Sequence, residues 1–287
     1  MASAESSNSM RKAGRWETIG RITLFVLCIG MGVTFVIPFV WQILISVSKV
    51  SDVDLLTKTG APPKANWDNY QRVFEQIPFA EYFFNSFLVA GWVTMLQVIT
   101  CSMAAYAFSR IQWPGRDKVF LAYLGTLMVP GVVLMVPTYA IVQKLHMFND
   151  YTGLILPAAF TAYGTFLLRQ FMLTIPSSLD EAAAIDGAGH FRVYTEIILP
   201  LARPGIIVMA IFAFLFNYNS FFWPLIIVKD ENLRTLPIGL LAFNTSYGQE
   251  TPLIMAASLM AMIPPIIIFI VLQKYLVKGI QLGAVKG

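Results

Sequence analysis

Charge is what this 287-residue chain has least of: Asp, Glu, Lys and Arg make up 13% of it, against 57% hydrophobic residues. Soluble domains carry about 25% charged residues, so a water-soluble globular fold is excluded. Histidine is scarce too. His146 and His190 are the two present, and no grouping of His, Cys and carboxylates has metal-ligand spacing, so no metal is expected and His190 reads as a solvated or hydrogen-bonding residue. Cys28 and Cys101 both fall inside apolar segments, which gives no disulfide framework. No Gly-Lys dipeptide occurs anywhere, so there is no GxxxxGK[ST] loop to cradle nucleotide phosphates. The formal charge of +4 is not gathered into a basic stripe on a soluble face, and nucleic acid is not an expected partner.

What the chain does have is long charge-free runs, at 22–48, 82–109, 119–143, 151–168, 204–228 and 251–273. A helix of about 20 apolar residues crosses a hydrocarbon core of about 30 Å, and backbone amides cannot go unpaired in lipid. The runs therefore predict an all-α integral membrane protein with six transmembrane helices, in contact with lipid along each. The first run is longer than a signal-peptide core and reads as a retained helix. The uncharged interval 235–249 is too short and polar to cross and reads as a loop at the membrane surface.

Basic residues set the orientation. Arg11, Lys12, Arg15, Arg21, Arg110, Arg116, Lys118, Arg169, Arg192, Arg203, Lys274, Lys278 and Lys286 fall on one side of the six runs. Lys49, Lys58, Lys64, Arg72, Lys144, Lys229 and Arg234 fall on the other. The excess marks the cytoplasmic side, so both termini are expected there. The chain divides into a cytoplasmic tail 1–20, a six-helix domain 21–278 that includes a cytoplasmic loop 178–200, and a cytoplasmic tail 279–287, with disorder expected up to Arg11. In the outer segment 49–81, Ala61-Pro62-Pro63 precedes Trp67-Asp68-Asn69-Tyr70. Apolar residues at 67, 70, 73, 74 and 77 predict a short amphipathic helix. Prolines 38, 130, 137, 157, 224, 264 and 265 lie in or at the ends of runs, where each bends or interrupts a helix.

The polar stretch between the fourth and fifth runs is the most specific segment. Ser178-Leu179-Asp180-Glu181 has capping-box spacing, so a helix should start at Ser178. Ala182, Ala183 and Ala184 keep it thin. Asp186 precedes Gly187, which suits the positive φ of a helix C-terminus, and Gly189 follows. A second helix should run from about Phe191 to Ile198 and stop at Pro200.

Glu181-Ala182-Ala183, Gly187, Ile197, Leu199 and Pro200 stand at the spacing of the EAA loop, and the segment resembles that loop in permease subunits of binding-protein-dependent ABC importers. Pro114-Gly115-Arg116, Leu168-Arg169-Gln170-Phe171, Asn219 to Pro224 and the ending Gly283-Ala284-Val285-Lys286-Gly287 resemble the carbohydrate, maltose-type branch. The resemblance covers about residues 20–287. It implies a type I ABC importer permease fold in the cytoplasmic (inner) membrane of a prokaryote. A sister permease would complete a heterodimer with two copies of an ATPase and an extracytoplasmic solute-binding protein. This chain would be non-catalytic and bind no cofactor, with ATP and Mg held by the partner ATPase. Glu181, Ala182, Ala183, Asp186, Gly187, Ile197, Leu199 and Pro200 would couple to that ATPase. Where many members carry Trp-Asn-Glu/Asp-Phe, this chain has Tyr218-Asn219-Ser220-Phe221 and lacks that carboxylate, so the family's solute contacts are not carried over at this point.

Polar and aromatic residues within the runs are candidates for the solute path: Asn85, Tyr163, Asn217, Tyr218, Asn219 and Phe221, with Gln97, Tyr139 and Trp223 beside them. Rings stack on sugars and amides satisfy hydroxyls. Asn217 and Phe221, four apart, share a helix face. The absence of any basic residue inside the runs favours a neutral sugar or oligosaccharide over glycerol phosphate, a polyol or an acidic saccharide. A rival class, an ion-coupled secondary transporter, needs ionisable groups or broken helices at mid-membrane, and every run lacks Asp, Glu, Lys, Arg and His. A second rival, a membrane scaffold, would associate with no ATPase.

Overall fold

The computed structural model describes residues 2–60, 64–245 and 248–284, with side chains over 20–60, 64–243 and 250–275. Ala61-Pro62-Pro63 and Val285-Lys286-Gly287 lie outside the described residues. The chain separates into two compact units, Met1–Val73 with Thr245–Leu259, and Phe74–Asn244 with Met260–Gly287.

In the first unit, α1 (Ala2–Ser46) contains the apolar stretch Gly20–Ser46. It starts at Ala2, and no Gly or Pro interrupts the chain before Gly14. A helix not expected from the sequence, α2 (Val50–Thr59), follows. The amphipathic helix is present as α3 (Asp68–Gln76), with Val73 fully buried while Trp67 is exposed. Asn69 is buried and donates to the carbonyls of Ser46 and Ser48, both at 2.8 Å, and Tyr70 shares a 2.8 Å hydrogen bond with Ser46. The side chain of Asn69 thus takes up the last carbonyl of α1, which has no helical partner, and that of Ser48 in the turn just past it. Arg72 meets Glu250 at 3.3 Å.

The second unit is built on α4 (Phe79–Ser109), the longest helix in it. Against α4 pack α8 (Ala162–Leu173) and α12 (Arg203–Tyr218), and α12 also packs on α16 (Ile263–Ala284). Close approach is visible at Gly164 and Gly205. A Cβ on Gly205 would stand 2.5 Å from the ring of Phe171, and one on Gly164 would stand 2.7 Å from Met209.

Among the described residues, three apolar helical stretches are long enough to cross a membrane: Gly20–Ser46, Phe79–Ser109 and Thr251–Tyr275, the last with a turn at Met262 between α15 (Thr251–Ala261) and α16. Three more spans follow if each bent pair counts as one. Arg116–Met128 and Gly131–Lys144 meet at 99°, Tyr151–Ala158 and Ala162–Leu173 at 44°, and His190–Leu201 and Arg203–Tyr218 at 77°. The first bend falls at Pro130, which caps α6 (Gly131–Lys144) while Val129 before it is extended; proline excludes the α region for its predecessor. The run 204–228 is likewise not one helix. α12 ends at Tyr218 and α13 (Phe222–Ile227) begins afresh, because a helix through Ser220 would drive its carbonyl into the ring of Pro224 four residues on. Phe221 therefore does not share an α12 face with Asn217, contrary to the expectation from spacing.

At the far end of α4 from Ser109, the segment 229–239 is stitched down. Asn149, at φ +58°, accepts from the amides of Lys229 and Asp230. Asp150 caps α7 (Tyr151–Ile155) by accepting from the Thr152 amide at 2.8 Å and its hydroxyl. Those two bonds, the hydroxyl first, hold the Asp150 carboxyl below its usual range. The interval 235–249, expected as a loop too short to cross, holds short elements: the one-turn α14 (Leu236–Gly239) and the two-residue strands Asn244–Thr245 and Gly248–Gln249.

Candidate functional site

The segment after α8 folds into an elbow. Its first limb, α9 (Ser178–Ile185), starts where the sequence indicates, but not by a capping box: Ser177 occupies the N-cap with helical φ and ψ, and no side chain caps the turn. The Ser177 carbonyl takes the amides of Asp180 and Glu181 instead, and those two carboxylates sit in the first turn, where the helix dipole favours negative charge. The limb closes at Gly187, at φ +76°. The Ala188 amide donates to the Ala183 carbonyl at 2.9 Å and the Gly187 amide to Ala184 at 3.1 Å. This pair of bonds is a Schellman closure, which needs a left-handed residue at that point.

The second limb starts at His190 and runs through α10 (His190–Arg192), a π-helical stretch Val193–Ile198 and α11 (Leu199–Leu201). Pro200 does not stop it, contrary to the sequence expectation; the break comes at Ala202. Just before Pro200 the ladder widens, with the Leu199 amide reaching back to Tyr194. A π-register makes room where an α-register would press the proline ring on the carbonyl four residues back.

One side of the elbow is packed into the protein. Ala183, Val193, Tyr194 and Ile198 are buried in a core shared with Cys101, Ala105, Tyr106, Leu168, Met172 and Met209. Tyr194 also shares a 2.8 Å hydrogen bond with Ser102. Arg110, one residue past α4, donates to Asp180 at 2.6 Å, to the Ile175 carbonyl at 2.7 Å and to the Met172 carbonyl. The other side is open: Ile185 is 87% exposed and Phe191 74%.

The eight residues singled out in sequence divide between these sides. Glu181, Ala182, Asp186, Gly187 and Pro200 are exposed, Ile197 and Leu199 are half-buried, and Ala183 is buried. Sequence reading missed Asp180, Arg110 and Tyr194. Arg110 is the first charge after the run 82–109, but nothing local pairs it with a residue 70 positions on.

The path candidates are not brought to one place. Asn85 is buried; its amide nitrogen donates to the carbonyls of Asn232 (2.7 Å) and Arg234 (3.0 Å), and its oxygen accepts from Tyr151 (2.6 Å). Tyr218 is buried and donates to the Ala261 carbonyl at 3.0 Å. Gln97 donates to Ala158 and Trp223 to Gly153. Asn217 and Asn219 turn back onto the carbonyls of Ala213 and Leu215. Tyr139 accepts from Gln143, Phe221 is half-buried, and Tyr163 is 49% exposed.

Residues 18–282 match the family described as the binding-protein-dependent transport system inner membrane component. The chain is 35% identical over 279 residues to the trehalose/maltose transport system permease protein MalG of Thermococcus litoralis, covering 95% of this chain and 99% of that one. It is 35% identical to the arabinooligosaccharides transport system permease protein AraQ of Halalkalibacterium halodurans, over 79% of this chain and 81% of the relative. The sn-glycerol-3-phosphate transport system permease protein UgpE of Yersinia enterocolitica is 33% identical over 75% and 79%. In fold, the chain matches a bacterial ABC transporter involved in the import of the acidic polysaccharide alginate, with TM-score 0.77 at 22% identity over 89% of this chain and 96% of that one. The helical architecture is that of a type I ABC importer permease, and with nearly its full length matched, this chain belongs to the family of inner membrane components of binding-protein-dependent transport systems.

Proposed function

We propose that the chain is one of two membrane subunits of an importer for a neutral sugar or oligosaccharide, moved by a separate ATPase that grips the elbow 178–200 from the cytoplasm. The observation that carries this reading is the two-sidedness of the elbow. Its inner side is locked into the core by Ala183, Tyr194 and Ile198, while Ile185 and Phe191 stand almost fully exposed on the outer side. A rigid projection with apolar tips suits force transfer from a partner. Glu181 and Asp186 beside those tips offer a cationic groove two carboxylates. In this reading, ATP and Mg belong to the partner, a sister permease completes the path, and a solute-binding protein delivers cargo from outside. ATP binding closes the ATPase pair, displaces the elbow and swings the helices from inward- to outward-facing.

The neutral cargo is favoured by the charge-free runs, since an anion crossing them would meet no fixed positive group. Relatives named for trehalose/maltose and for arabino-oligosaccharides agree with it. The relatives named for sn-glycerol-3-phosphate keep a phosphorylated cargo as the second reading. Uptake of a panel of labelled solutes, in cells with and without this chain, tests the choice. Loss of a neutral saccharide alone is expected on deletion; loss confined to phosphorylated or acidic solutes would reverse the order of the two readings.

A further inference from the structure

We propose that Arg110 is the positioning residue that carries displacement of the elbow into α4, acting through Asp180. The proposal rests on the elbow being driven by an ATPase, and it names the linkage by which that drive reaches the helices. Arg110 is nearly buried, with 7% of its side chain accessible. Its guanidinium serves three elements together: it belongs to the end of α4, it takes the Met172 and Ile175 carbonyls at the end of α8, and it meets Asp180 in the first turn of α9. Among the described residues, Asp180 makes the one polar side-chain contact between α9 and the rest of the unit.

A second arginine mirrors the arrangement without touching the elbow. Arg169 of α8 donates through Nε to the Phe108 carbonyl at the end of α4 (3.1 Å). It then reaches Asp117 of α5 (Arg116–Gly125) at 3.4 Å and lies 4.2 Å over the Phe120 ring. The ends of α4 and α8 are therefore cross-linked: Arg169 takes the Phe108 carbonyl of α4, and Arg110 takes the Met172 carbonyl of α8 and the Ile175 carbonyl two residues past it. One arginine then leads outward to α5 and the other to the elbow. Two carbonyl contacts fix the Arg110 fork to α8, and one contact leads to α9. A pull on Asp180 is thereby delivered to both helices together. The planar fork is needed because a lysine ammonium on its flexible stem cannot hold carbonyls and carboxylate in fixed directions.

The test uses the full chain with Asp180→Asn, Arg110→Lys and the charge-retaining Asp180→Glu. In the purified chain, amide hydrogen exchange across 178–189 should rise about tenfold in Asp180→Asn and Arg110→Lys, a result that needs no partner. In the complex with its ATPase, solute-stimulated ATP hydrolysis should fall at least tenfold in the same two variants. Basal hydrolysis and ATPase recovery should stay within twofold of wild type, and Asp180→Glu should regain most of the stimulation. Stimulation within twofold of wild type in both variants overturns the proposal. So does a fall in assembly or basal hydrolysis that matches the fall in stimulation, because Arg110 would then be structural only. A wild-type chain with no solute-stimulated hydrolysis strikes down the importer reading and this proposal with it; wild-type stimulation with indifferent variants strikes down this proposal alone.

Discussion

Asn85 shows how an amide in an apolar run can look like a solute ligand and still be engaged elsewhere. Both ends of its side chain are occupied, by the Asn232 and Arg234 carbonyls and by the Tyr151 hydroxyl. With Ser86, whose hydroxyl accepts from the Leu236 amide at 2.7 Å, it holds the segment 232–236 against the start of α4. Truncation would leave polar groups of three residues short of a partner, and each buried unsatisfied group costs about 1–3 kcal/mol. Asn85→Ala is therefore expected to lower stability by about 2–4 kcal/mol, read as a lower melting temperature in detergent, with the KM for solute unchanged in whatever protein remains folded. A shifted KM at normal stability would return Asn85 to the solute path. Tyr163, which is half exposed, is the better-placed candidate of the six.

At the scale of elements, the elbow depends on one backbone angle. Gly187 stands at φ +76°, and a Cβ there would meet nothing within 4 Å. Substitution therefore acts through conformation alone. Gly187→Ala forces an L-residue into the left-handed region, at about 1–2 kcal/mol, whereas Gly187→Pro cannot adopt a positive φ and also removes the amide that donates to Ala184. Solute-stimulated ATP hydrolysis is expected to be weakened in the first variant and abolished in the second, with membrane insertion intact in both. Equal stimulation across the series would separate the turn from coupling. The turn was legible in the sequence because a short thin helix ending in Asp-Gly has few other solutions. Pro130 and Pro224 announced breaks, and the 99° bend at Pro130 and the stop at Tyr218 fall where those rings forbid a helix. The widened register before Pro200 was not legible, since a proline can either end a helix or be absorbed by a π-turn, and packing of Tyr194 and Ile198 into the core selects the second. Nor was the join between Arg110 and Asp180, which is set by how α4 and α8 lie side by side and has no local period.

For the whole molecule, the remaining question is which side the elbow faces, and charge supplies the physical argument. Thirteen of the 20 Lys and Arg residues fall on the side of the elbow and both termini, counted across an even number of apolar runs. Cytoplasmic loops retain basic residues, so the elbow should lie inside, within reach of ATP. Two exposed positions on opposite sides of the runs, Ala184 and Lys229, suit single-cysteine labelling. Cys28 is exposed and must first be replaced; Cys101, 1% exposed in the core, should stay silent to a bulky reagent. In intact cells, a membrane-impermeant maleimide should modify Lys229→Cys and leave Ala184→Cys unmodified until the membrane is permeabilised, a contrast of at least about tenfold for a reagent excluded by the hydrocarbon core. The opposite pattern would put the elbow outside the cell, beyond any nucleotide-driven partner. Ile185, Phe191 and the Arg110 linkage behind them would then have nothing to transmit.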